Sequence, residues 1–229
     1  MRSSALALLL VLGCGQPAVK VDAAKSTAMA GKTSAVADLS DTITITVTLL
    51  SADGRPVSKQ PLTVAVSGTG TSFDVNGTSD VTTGTSDQRG QVFVNLRSSV
   101  AEQKTVTFTS ADVTLDAKPT LTFEPGPLRA LVFRQQPSTV RAGQVMTPAV
   151  RLGAEDARGN AIRSTDETVS VRLVRSTAGV LTGGAARPFV DGGVAFDGLS
   201  IVPPQTGYVL RAESSGGYAL ESVPFDVTP

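Results

Sequence analysis

The chain has 229 residues, 20 lysines and arginines against 20 aspartates and glutamates, and no histidine or tryptophan. Without histidine it cannot assemble a Ser-His-Asp triad, a Cys-His dyad or a zinc-histidine site. Its balanced charge gives no basic excess for a nucleic-acid partner. The acids are dispersed through turns and pair with no nucleophile, so the expectation is a protein that is not an enzyme and uses no cofactor.

The chain opens with Arg2 followed by an apolar run of eight residues, Ala5 to Leu12. That is far short of the ~20 residues a membrane-spanning helix needs. A basic start, a short apolar core and a small residue read as a secretory signal peptide over residues 1–13. The run ends Val11-Leu12-Gly13-Cys14, and Cys14 is the only cysteine in the chain. An exported protein commonly spends cysteines in pairs, so a lone one beside the apolar run needs another role. The segment resembles a lipobox, the cleavage site of bacterial lipoproteins. That resemblance makes Cys14 the lipidated residue, makes the membrane a partner through the lipid anchor, and places the protein in the cell envelope. Gly15 after the cysteine favours the outer over the inner membrane. Cleavage after Gly13 would remove Arg2 and leave 19 basic against 20 acidic side chains. Residues 14–24 read as a short lipidated tether without the Gly/Ser runs of a flexible stalk.

From residue 25 the chain alternates. In Thr42-Ile43-Thr44-Ile45-Thr46-Val47-Thr48-Leu49 the aliphatic residues fall on one face and the threonines on the other, which suits a half-buried strand. The pattern returns at Leu62/Val64/Val66, Val92/Val94/Leu96, Val106/Phe108 and Leu121/Phe123, with Asp53-Gly54-Arg55-Pro56, Asn76-Gly77 and Arg89-Gly90 as turns between. Glu124-Pro125-Gly126-Pro127-Leu128 stops the last strand, and residues 125–128 read as a stiff linker. Alternation restarts at Leu131/Phe133 and continues through Val150/Leu152, Val169/Val171, Val194/Phe196 and Tyr208/Leu210 to Val223/Phe225/Val227. Two all-β domains are expected, over 25–124 and 129–229.

The halves repeat. Ser51-Ala52-Asp53-Gly54-Arg55-Pro56-Val57 corresponds to Asp156-Ala157-Arg158-Gly159-Asn160-Ala161-Ile162 at an offset of 105, and Gly90–Val94 to Gly192–Phe196 at 102. Nearly equal offsets point to duplication of a unit of about 100 residues, the size of an immunoglobulin-like sandwich.

Residues 25–123 resemble bacterial Ig-like domains of the invasin/intimin (Big-1) type, through the strand at 42–50, the turn SADGRPV, LTVAVSG (62–68) and TSDQRGQVFVNL (85–96). Residues 129–227 resemble related Ig-like repeats, through FRQQPSTVRAGQ, PAVRLGAEDARGN, GGVAFDGLSI and GYVLRAES. The resemblance implies two tandem Greek-key β-sandwiches and a structural spacer or adhesive, protein-binding role. The alternative is a carbohydrate- or polymer-binding accessory module. It also implies a tyrosine corner at Tyr208, whose hydroxyl would bond back to the backbone, with Val106 at that place in the first domain and the corner missing there.

Three candidate sites remain. Asp74-Val75-Asn76-Gly77 lacks the spacing and closing glutamate of a calcium loop and reads as a turn. Glu124, Glu155 and Asp156, with Asp38 and Glu102 on nearby loops, could meet at the domain junction as a calcium site, against the plainer reading of solvated acids paired with Arg129 and Arg158. Tyr218 is the one ring expected to be exposed enough to stack on a sugar.

Overall fold

The computed structural model describes residues 19–176 and 178–229, and every regular element among them is a strand. The signal run, Cys14 and residues 15–18 of the tether lie outside the described residues.

In the first domain one sheet runs in spatial order Thr27–Ala30, Ile43–Thr48, Gln91–Ser98, Thr71–Val75, Thr78–Ser79. The second runs Ser34–Val36, Thr120–Glu124, Gln103–Ser110, Pro61–Val66, Thr83–Thr85, with Val113–Thr114 folded back on Gln103–Ser110. Ser34–Val36 lies parallel to Thr120–Glu124, while the other pairs are antiparallel. Alternation dictates which side faces in. Ile43, Ile45 and Val47 are fully buried, and the threonines between them face out. They meet Val64, Val106, Phe108 and Leu121 from the opposite sheet in one core. Each such side chain contributes roughly 1.5–3 kcal/mol by leaving water.

The second domain repeats this plan. Ala130–Gln135, Val150–Glu155 and Gly193–Phe196 form one sheet; Val140–Arg141, Phe225–Thr228, Gln205–Ser214, Thr168–Val174 and Arg187–Pro188 form the other. Its core is separate, built on Leu152, Val169, Phe196, Leu210 and Phe225. One element departs. In the first domain Thr71–Val75 pairs along Gln91–Ser98, but its counterpart Val180–Thr182 pairs with Ser200–Val202 instead. Gly193–Phe196 is therefore left as an edge.

The duplicated turn is reproduced bond for bond. Ser51 N donates to Arg55 O at 2.9 Å and Asp156 N to Asn160 O at 3.0 Å; Val57 N donates to Leu49 O and Ile162 N to Ala154 O, both at 2.9 Å. Gly54 and Gly159 both take a left-handed φ, +79° and +82°, which a glycine adopts without strain.

Tyr208 closes the end of the second sandwich as a tyrosine corner. It is fully buried, and its hydroxyl donates to Pro203 O at 2.9 Å. The expected counterpart in the first domain is corrected by the register. Tyr208 stands opposite Phe225 and Lys104 opposite Leu121, so Lys104, not Val106, holds the corner position. Lys104 is fully buried. Its Nζ donates to Thr69 O and to Glu102 Oε1, both at 2.6 Å. The stem fills the core as the phenol ring does, and the ammonium closes the sandwich end. The first domain is thus not missing its corner; it uses a different residue.

Candidate functional site at the domain junction

The second domain's turn at 156–161 faces the first domain, as expected, and two of its residues do what their first-domain counterparts cannot. Where the first turn has Ser51, the second has Asp156; where the first has Arg55, the second has Asn160. Ser51 turns inward, bonding Asp53 and Arg55 O. Arg55 points to solvent and pairs with Asp53. Asn160 instead reaches across. Its Oδ1 accepts from Ala101 N at 2.8 Å, and its Nδ2 donates to Ser99 O at 3.1 Å. The carboxamide offers the acceptor and donor of a peptide unit, so it joins the first domain much as another strand residue would.

Asp156 holds this carboxamide and the linker together. Its Oδ1 accepts from Arg158 N at 2.7 Å and Asn160 N at 2.9 Å; its Oδ2 accepts from Gly126 N at 2.8 Å and Asn160 Nδ2 at 2.9 Å. Burial alone would raise its pKa. The hydrogen bonds from Asn160, Gly126 and Arg158 outweigh burial and hold it below the ordinary aspartate value. Arg158 Nη2 adds a bond to Asp38 O at 2.9 Å. A further strap comes from Tyr218, whose hydroxyl donates to Leu128 O at 2.8 Å.

The acids proposed for the junction do not converge. Asp156 has four N–H donors on its two oxygens. Glu155 pairs with Arg134 at 2.8 Å. Glu124 ends its strand exposed, and its carbonyl accepts from Ala37 N. Glu102 is engaged by Lys104 and by Thr69 N, which hold its pKa below the usual glutamate value. Asp38 accepts from Ser40 N and Asp41 N within its own loop. Among the described residues no three His, Cys, Asp or Glu side chains come together as a metal site.

Asn76-Gly77 is the two-residue turn of a hairpin pairing Val75 with Thr78, with φ of +51° and +80°. Asp74 is bound to Asn95 and Arg97. Tyr218 is half-buried and tied to the linker, so the ring expected to be exposed is a structural strap. The exposed ring is Phe93, at 42%, beside Thr46 and Met29 on the outer face of the first domain. The alternation of Val92, Val94 and Leu96 already placed Phe93 on that face.

No family model and no curated protein matches the chain. Solved structures do. InvD of Yersinia pseudotuberculosis is 22% identical with a TM-score of 0.54, over 91% of this chain and 59% of InvD. The Escherichia coli adhesin FdeC is 21% identical with a TM-score of 0.52, over 93% of this chain and 65% of FdeC. The fold is immunoglobulin-like, and InvD and FdeC share it. At these identities the likeness concerns the fold, and the chain spans less than two thirds of either structure.

Proposed function

We propose that this protein is a non-enzymatic cell-envelope lipoprotein, held to the outer membrane through lipid on Cys14. Its two Ig-like domains act as a stiff spacer that carries the second domain to a protein partner. The observation that supports a spacer is the junction. Asn160, Asp156, Arg158 and Tyr218 each bond across the linker or to it, so the second domain is held by side chains as well as by the connecting chain. The adhesin architecture of the structural neighbours fits the same role. The test is capture of partners from intact cells by a tagged full chain, beside surface-protease treatment and radiolabelled-lipid incorporation. The reading expects label on the native chain, none on Cys14→Ala, and a specifically captured protein. Normal labelling of Cys14→Ala, or no captured protein, would contradict it.

The carbohydrate-binding alternative has one observation in its favour, the Phe93–Met29 spot. Loss of glycan-array binding on Phe93→Ala would support it, and an empty array would remove it.

A further inference from the structure

The second domain carries a groove. It lies on the outer face of the three-stranded sheet, encloses about 670 Å³, and is lined by three guanidinium groups, Arg134, Arg151 and Arg187.

Each arginine is set there by the fold. A register shift between Phe133 and Gln135 makes Arg134 the extra residue of a β-bulge, a device that re-aims side chains. Gly153 makes room for it, since a Cβ there would come 2.8 Å from Arg134 Nε. Glu155 holds its outer end at 2.8 Å. Arg187 donates to Ala195 O at 2.8 Å and to Asp197 at 2.7 Å, with its guanidinium 5.5 Å over the Phe196 ring. Arg151 stands in register with Ala195 and is exposed. Among the described residues it makes no ion pair. Asp191 on the rim is the one acidic side chain that lines the groove.

Two observations select the occupant. The edge of Gly193–Phe196 is closed to an added strand, because Gly193 exchanges both backbone bonds with Val190 and Ala195 O is taken by Arg187. The ligand must therefore be read by side chains. Beside the guanidiniums lie Pro188 and Val190, the latter 67% exposed. Guanidiniums recognise planar carboxylates bidentately, and an apolar wall suits aliphatic side chains between them.

We propose that this groove binds an acidic segment of a partner protein, with its carboxylates on Arg151 and the free donors of Arg134 and Arg187 and its apolar side chains against Val190 and Pro188. The assignment rests on the reading of the chain as a protein-contacting module. The test is fluorescence anisotropy of a labelled peptide alternating glutamate and leucine, added to the full chain in detergent. Expected is saturable binding that weakens with salt, falls about tenfold in Arg151→Ala and is lost in Arg151→Glu, with unchanged melting because Arg151 is exposed. No binding, or binding indifferent to Arg151→Glu, overturns the proposal. So does a polyuronate or polyphosphate that displaces the peptide with equal or better affinity, since the groove would then serve an anionic polymer. Capture of the same cellular protein by native and Arg151→Glu chains would keep the contact-module reading while removing the groove from it.

Discussion

Lys104 offers the sharpest stability test, because a fully buried lysine must repay its desolvation. Lys104→Ala removes three methylenes from the core, ~2.4 kcal/mol at roughly 0.8 kcal/mol each. It also removes a charged donor from the Thr69 carbonyl, a further ~1.5–3 kcal/mol. The expected loss is therefore about 4–5 kcal/mol, comparable with a large core truncation. Lys104→Met keeps the stem and removes the ammonium, so only the second part should be lost, about 1.5–3 kcal/mol. Urea unfolding of the full chain, followed with a probe in each domain, separates the two cores. Only the first domain's midpoint should move, and Ala should move it further than Met. If Lys104→Ala shifts that midpoint by less than the equivalent of about 0.5 kcal/mol, the corner assignment fails.

Tyr208→Phe loses one hydroxyl bond to Pro203 O and should cost the second domain about 1 kcal/mol, read from its own urea midpoint. Gly159→Ala should cost roughly 1 kcal/mol: a Cβ there meets nothing within 4 Å, so the penalty is the left-handed φ alone. Asp156 and Glu102 both have folded pKa values lowered from their ordinary values of 3.8 and 4.5. Their contributions are fully present above those unfolded values and are lost as pH falls through the lower folded ones. Stability should hold from neutral pH down to that range and then drop; Asp156→Asn should flatten the acid limb, and an unchanged limb would contradict the role given to Asp156.

The elements that depend on local pattern were legible. Ile43–Thr48 alternates because every second residue is β-branched and aliphatic, and the 105-residue offset located a turn whose bonds recur in both domains. What escaped depends on partners far along the chain. Lys104 looks like a surface residue until Thr69, brought in from a loop 35 residues earlier, accepts its ammonium. Asn160 looks like an ordinary turn residue; its partner Ala101 N is 59 residues away. The available signal was the change from Ser51 and Arg55 to Asp156 and Asn160 inside an otherwise equivalent turn. Arg134 depends on a bulge, and a one-residue insertion cannot be read from alternation once Gln135 and Gln136 end it. The junction acids are legible as acids on end loops, but the four N–H donors on the Asp156 carboxylate are not, because one of them, Gly126 N, comes from the linker 30 residues earlier.

The proposed stiff coupling of the two domains through Asn160 is directly measurable. Spin labels on Thr63→Cys and Val180→Cys, one exposed site in each domain, report their separation by pulsed electron resonance. One narrow distance distribution is expected in the otherwise native chain and a broadened one after Asn160→Ala. A broad distribution before that substitution, or an unaltered narrow one after it, would contradict the claim.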